Sequence, residues 1–262
     1  MKFSILVPTT GTREFELDRL FDSLNNQEFS DFELVVVTQI NHDMVSQLIN
    51  SYPDLCVVHL KLEKMGLSYA RNIGLKSCKG EWIVFSDDDA WYPADGLKLL
   101  NKYTSSGDYE IILTQIFDPI KNQLYKNYPD KAEVLKSKFN LMSKSSIEIS
   151  IKRDKIKKDF DENFGLGAKY VCCEEVDFLI NNFSKGNTLY IPSISVYHLK
   201  KDRGASEAQL FAKGALYSKQ FNRFIACLIV IRDILKGRKN SRKIFWSGFK
   251  DYKKITEQST VD

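Results

Sequence analysis

No run of roughly eighteen uncharged apolar residues occurs in this chain of 262 residues, so no membrane-spanning helix is expected. The longest apolar run near the end, which begins at Phe224, is closed by Arg232 and Asp233. The opening MKFSILVPTT has neither the length nor the small-residue cleavage site of a secretory signal, and it reads as a first β-strand. Cysteine supplies no framework either. The five residues Cys56, Cys78, Cys172, Cys173 and Cys227 are odd in number, contain no CxxC pair for zinc, and place two thiols side by side in poor geometry for a mutual disulfide. Reduced, mostly buried thiols favour the cytoplasm. Internal repeats, low-complexity linkers and nucleic-acid-binding motifs are all missing, so no nucleic-acid partner is expected.

What is present is enough to fold. With 43% hydrophobic and 12% aromatic residues the chain can bury a sizeable core, which argues against disorder. The net charge of +4 conceals an asymmetry: Lys200 to Ile255 carry 15 Lys and Arg against 4 Asp and Glu. A basic tail on a mildly acidic body suits either a polyanionic partner, such as an anionic membrane surface, or a plain solvated helical face.

The first hundred residues alternate regularly. Strand-like runs KFSILV (2–7), FELVVV (32–37), LCVVHL (55–60) and EWIVFS (81–86) are separated by helical spacing over 15–26, 45–49 and 67–76. Repeated strand and helix with short connections predict a mostly parallel, Rossmann-like sheet flanked by helices. Further strands are expected at 109–116, 146–153, 188–191 and 194–198. A helix over EEVDFLINNFSKG should be capped by Gly186, and two or three basic helices should follow Ser206. The expected division is a nucleotide-type half (1–105), an acceptor half of the same domain (106–203), and a basic amphipathic helical tail (204–262).

GEWIVFSDDDAWYP, residues 80–93, runs an apolar strand into three aspartates. In open α/β sheets ligands bind beyond the carboxyl ends of the strands, which is where Asp87, Asp88 and Asp89 fall. Closely packed carboxylates suit a hard divalent ion such as Mg²⁺ or Mn²⁺ that also binds phosphate oxygens. In a turn, Asp87 and Asp89 can converge while Asp88 points elsewhere, one holding the ion and another accepting from a sugar hydroxyl. The plainer reading is a solvated acidic turn or a helix N-cap.

Taken in order, SILVPTT, LDRLFDSLNNQ, FELVVV, GLSYARNIGL, GEWIVFSDDD and FDENFGLGAKYVCCEEVDFLI resemble an inverting family 2 glycosyltransferase of GT-A fold, from residue 2 to about 206. The resemblance implies a metal-dependent hexosyl- or N-acetylhexosaminyltransferase that moves a sugar from a nucleoside diphosphate sugar, expected to be a UDP-sugar. The acceptor would be a hydroxyl of a saccharide or polyprenyl-linked saccharide, in surface polysaccharide synthesis. It further implies that Pro8, Thr9 and Gly11 line the nucleotide base, with Thr38 nearby, and that Arg71 faces the nucleotide, unless Arg71 makes only a helix-surface salt bridge. By the same likeness Asp87 would contact ribose, Asp88 would belong to the donor site, and Asp89 would hold Mn²⁺ or Mg²⁺. His198 would complete the metal shell, touch a phosphate, or serve structure alone. CCEEVD matches the stretch that carries the general base; Glu175 takes that role, with Glu174 and Asp177 as competitors, and a bare helix N-terminus as the plainer reading. Arg203 is a candidate cation for the diphosphate.

One departure stands out: after the second strand Thr38, Gln39, Ile40 and Asn41 replace the family's acidic pair, so a neutral group would meet the base. Two rival readings are a sugar-nucleotide nucleotidyltransferase, from the TTGTRE loop, and a catalytically silent nucleotide-sugar binder. In the tail, Phe224, Leu228, Ile231 and Leu235 either lie in the inner face of a membrane, making the protein peripheral there, or pack on the core.

Overall fold

Four apolar runs lie side by side as parallel strands in the computed structural model, which describes residues 1–200, 206–235 and 242–258. They are β1 (Phe3–Thr9), β2 (Phe32–Thr38), β3 (Val57–Lys61) and β4 (Trp82–Phe85), in the order β3-β2-β1-β4. Crossover helices α1 (Glu14–Asn25), α2 (His42–Asn50) and α3 (Leu67–Ser77) connect them. Every residue of β1, β2 and β4 is buried because helices cover both faces of the sheet. Alternation along β1 divides the core. Phe3, Ile5 and Val7 join the layer with Leu17, Leu20 and Phe21 of α1, and Leu6 joins the opposite layer with Ala70 of α3.

The sheet continues past β4 with strands that the sequence places much later. After α4 (Gly96–Thr104) come β5 (Ile111–Asp118), the short β6 (Gln123–Leu124) and β7 (Glu133–Val134), then β8 (Ile149–Lys152), α5 (Glu174–Asn182) and β9 (Thr188–Tyr197). β8 inserts antiparallel between β4 and β5, giving β4-β8-β5-β9-β7, with β6 paired to β5. The expected strand over 146–153 therefore begins as a 3-10 turn, Ser146–Glu148. The two runs expected at 188–191 and 194–198 form one strand, β9, with irregular register where it passes Pro192. Gly186 does not cap α5. The helix stops at Asn182, and Gly186, at φ +91°, turns the chain into β9.

Three helices make up the described tail: α6 (Glu207–Gln220), α7 (Arg223–Leu235) and α8 (Arg242–Gln258). α6 and α8 cross backbone to backbone at two glycines. A Cβ on Gly214 would lie 2.0 Å from the Phe245 carbonyl oxygen, and one on Gly248 would lie 2.0 Å from that of Phe211. α7 buries Ala226 and Ile229, but Phe224, Leu228 and Ile231 are 71%, 51% and 52% exposed, so core packing of these three is corrected. Among the described residues no helix is long and apolar enough to cross a membrane.

Candidate active site

The carboxyl ends of β1, β2 and β4, the start of α5 and the residue after β9 open onto one cleft of about 470 Å³. Its floor is the acidic tip. Ser86 donates its backbone N–H to the Leu6 carbonyl, extending the pairing of β4 with β1, and Ala90 N–H then closes a turn on the Asp87 carbonyl. Beyond the turn, Trp91 and Tyr197 exchange backbone hydrogen bonds of 3.1 and 2.7 Å. Arg19 clamps the outside, its guanidinium 3.6 Å from the Trp91 ring centroid and donating to the Asp89 carbonyl at 3.0 Å.

The three aspartates divide differently from the expectation that Asp87 and Asp89 converge. Asp87 turns inward, accepting from Arg71 Nη2 at 3.1 Å and Ser146 Oγ at 3.2 Å. Asp88 and Asp89 share Arg13: its Nη1 lies 3.0 Å from Asp88 Oδ1 and 2.7 Å from Asp89 Oδ2. Thr9 Oγ1 also donates to Asp88 at 2.7 Å. Burial lifts the Asp88 carboxyl above its ordinary value, and the Thr9 hydrogen bond and Arg13 counter this only in part.

Arg71 is 1% exposed, so it is no helix-surface pair. It lines the cleft, yet both its terminal nitrogens are taken, Nη2 by Asp87 and Nη1 by Glu174 Oε1 at 3.0 Å. Arg71 thus ties the acidic tip to the start of α5 from within the cleft lining. That start is strained: Cys173 precedes the helix at φ +78°, a left-handed conformation costly for a side chain with a Cβ. Glu175 follows on the cleft wall. Burial, with the neighbouring Glu174 charge, pushes its carboxyl well above the usual carboxylate range. Among the described residues no cation or other side chain pairs with it. Asp177 is fully buried and held by Lys219 Nζ and Gln220 Nε2, both at 2.7 Å, so it drops out as a candidate base.

Pro8 and Thr9 line the cleft, while Gly11, at φ +69°, turns the loop beneath it. Thr38 is corrected: its hydroxyl points to His42 Nδ1 at 2.6 Å and His59 Nε2 at 2.9 Å, and Gln39 faces the cleft in its place. Gln39 Nε2 donates to the carbonyls of Lys64 (2.6 Å) and Gly66 (3.3 Å), leaving its amide oxygen as the group available for a ligand. His198 lies on the cleft with Nε2 3.0 Å from Asp89 Oδ1. Arg203 lies outside the described residues.

A divalent ion fits this corner by chemistry. An oxygen and an imidazole nitrogen 3.0 Å apart can share one Mn²⁺, and His198 Nδ1 is buried with no hydrogen-bond partner among the described residues. Among the described residues, no third His, Cys, Asp or Glu joins them, so the remaining ligands would be phosphate oxygens and water. Sequence reasoning missed Arg13 and Ser146, and named Gln39 only among the four residues that replace the acidic pair. The TTGTRE loop at the end of β1 offered the one available signal, a cation opposite the aspartates.

Residues 4–168 match the family model described as Glycosyl transferase family 2. A poly(ribitol-phosphate) beta-N-acetylglucosaminyltransferase, TarS, of Staphylococcus aureus is 30% identical over 121 residues, covering 44% of this chain and 21% of that protein. An uncharacterized glycosyltransferase of Haemophilus influenzae is 26% identical over 214 residues, 76% of this chain and 65% of its own length. The chain thus spans about a fifth of the Staphylococcus relative. Among solved structures, S. aureus TarS 1-349 in complex with UDP-GlcNAc superposes with TM-score 0.66 at 21% identity, over 84% of this chain and 66% of that one. The mannosyltransferase PcManGT from Pyrobaculum calidifontis, in complex with GDP-Man and Mn²⁺, gives 0.60 at 16% identity, over 84% and 62%. These likenesses establish a shared fold, the GT-A arrangement expected from the sequence.

Proposed function

The chain belongs to glycosyl transferase family 2, and from that membership we propose that its cleft takes a UDP-sugar and transfers the sugar, with inversion, to a hydroxyl of a saccharide or polyprenyl-linked saccharide acceptor. The observation that carries this reading is the state of Glu175. Asp87, Asp88, Asp89 and Glu174 are each claimed by an arginine, and among the described residues Glu175 is the cleft carboxylate left without a side-chain partner. A carboxylate held so can take the proton of an attacking hydroxyl. The new C–O bond forms at the anomeric carbon, the bond to the diphosphate breaks on the opposite face, and the proton ends on Glu175. The diphosphate leaves with its charge. A divalent ion held by Asp89 and His198 would neutralise that charge. Arg71 fixes where the base stands by joining α5 to the acidic tip.

UDP is the favoured donor nucleotide because the pinned Gln39 amide can offer its oxygen to the imide N–H of uracil. The UDP-GlcNAc complex of TarS supports the same reading. The exposed apolar residues of α7, in a basic tail, favour docking on an anionic membrane at its cytoplasmic face, where a lipid-linked acceptor would be presented.

The test is a thermal-shift screen of nucleoside diphosphates and their sugars with and without Mn²⁺, followed by assays of transfer and of acceptor-free donor hydrolysis. UDP and UDP-sugars should stabilise most, and more so with Mn²⁺. Glu175→Gln should keep that stabilisation and lose about 10²- to 10⁴-fold in turnover. Donor binding with neither transfer nor hydrolysis would identify a silent binder, and preference for a nucleoside triphosphate would point to a nucleotidyltransferase.

A further inference from the structure

The cation on the acidic tip comes from the protein itself. Arg13 Nη1 sits 2.7 Å from Asp89 Oδ2, on a carboxylate that also faces His198. We infer that Arg13 is a built-in counter-cation that occupies the acidic tip until a divalent ion arrives, then takes the donor's diphosphate as its new partner. It would thereby couple metal binding to nucleotide binding. The inference rests on the donor and metal reading above.

Three observations carry it. First, the two arginines of the site differ in kind. Arg71 is 1% exposed and fixed between two carboxylates, whereas the Arg13 side chain is 44% exposed, and its ion pairs are of the weak, solvent-screened sort that a competing ion displaces. Secondly, Asp88 and Asp89 need a counter-charge. Asp88 is 13% exposed and Asp89 15%, their carboxylates are adjacent, and two such charges repel unless a cation lies between them. Thirdly, Arg13 has somewhere to go. It sits where the β1 loop enters α1, and Thr9, Thr10 and Thr12 of the same loop line the cleft that would hold the diphosphate.

A guanidinium and a divalent ion cannot both hold Asp89 closely without repelling each other. Metal alone on Asp89 Oδ1 and His198 therefore weakens the Arg13–Asp89 pair and leaves Arg13 with Asp88 alone. Metal with a diphosphate gives Arg13 a multiply charged acceptor whose paired oxygens suit its planar fork of donors. The consequence is cooperativity: each ligand should tighten the other, and by linkage the factor is the same in both directions.

The experiment is calorimetric titration of Mn²⁺ alone, UDP alone, and each in the presence of the other, on the full chain and on Arg13→Met and Arg13→Lys. The melting temperature of each protein is recorded beside it. In Arg13→Met, Mn²⁺ alone should bind about tenfold more tightly than in the unaltered protein, and the mutual tightening of Mn²⁺ and UDP should shrink by a similar factor. Arg13→Lys, a point charge without the fork, should fall between the two. A residue that merely supported the fold would lower the melting temperature and weaken Mn²⁺ binding. Equal or weaker Mn²⁺ binding in Arg13→Met, or undiminished coupling to UDP, would overturn the inference while leaving the glycosyltransferase reading intact. Absence of Mn²⁺ binding by the unaltered protein, even with UDP, would overturn both the inference and the metal part of that reading.

Discussion

At the scale of single residues, the start of α5 sets one carboxylate against another. The fold raises Glu175 by burial and by the Glu174 charge, so between the ordinary carboxylate pKa and the raised one the folded chain holds a proton that the unfolded chain has released. Stability contributed by that proton is present at low pH and falls as pH rises through this window. As the proposed base, Glu175 works only when ionised, so turnover should rise over the same interval. The pH–rate profile is expected to show its acid limb above the usual carboxylate range, and Glu175→Gln should melt higher than the unaltered protein at neutral pH while losing turnover. A limb at the ordinary carboxylate value, or a lower melting temperature for Glu175→Gln, would remove Glu175 from the role. Arg71→Met strands Asp87 and Glu174 without their cation and should cost about 3 kcal/mol or more in denaturant unfolding. Arg71→Lys should recover little of it, because one ammonium cannot span two carboxylates. These roles were only half legible in the sequence. The acidic tip and the Glu pair stand out as charges at the ends of apolar segments. The partners do not, since Glu174 lies 103 residues from Arg71 and Asp88 lies 75 from Arg13, and side-chain directions within a turn follow from backbone angles that composition does not encode.

At the scale of elements, legibility follows the range of the interaction. β1, β2, β4, α1 and α3 were readable because continuous apolar runs and 3.6-residue spacing are local properties, and their expected boundaries match to within a residue or two. The insertion of β8 between β4 and β5 was not readable, because ISIK pairs with residues some 40 and 70 positions away and nothing in its own pattern sets direction. α5 was readable as a helix, but its end was not: Gly186 looked like a cap, whereas the Asn182 side chain binds Lys157 and Lys158 backbone groups and closes the helix earlier. The crossing of α6 on α8 is another long-range feature, visible beforehand only as two unremarked glycines. Gly214→Ala would drive a methyl group into the Phe245 carbonyl and should cost about 2 kcal/mol or more. Because Lys219 and Gln220 of α6 grip Asp177 of α5, that loss should also loosen the base. Urea unfolding and turnover of Gly214→Ala test both; full stability would mean that the helices separate at little cost.

At the scale of the whole molecule, charge and apolar surface are concentrated in the same region. The chain carries +4 overall, yet its C-terminal quarter is strongly basic, and in that quarter α7 shows solvent Phe224, Leu228 and Ile231, spaced four and three residues apart along one face. A helix that lies in a membrane interface needs this combination, an apolar stripe to enter the acyl boundary and cations to meet anionic headgroups. Each side chain contributes at most about 2 kcal/mol if fully withdrawn from water, and each nearby Lys or Arg about 1 kcal/mol at low salt. Neither contribution alone gives firm attachment, so binding should require both. The unaltered protein should therefore sediment with vesicles containing phosphatidylglycerol at low salt, release in high salt, and ignore vesicles of phosphatidylcholine alone. Replacing Phe224, Leu228 and Ile231 together by serine should weaken sedimentation at least tenfold without lowering the melting temperature, since these side chains already face water. Triple-serine protein that sediments like the unaltered chain would show that charge alone holds it. Sedimentation indifferent to salt, or none at all, would mean that the basic quarter meets some other partner and that the acceptor reaches the cleft from solution.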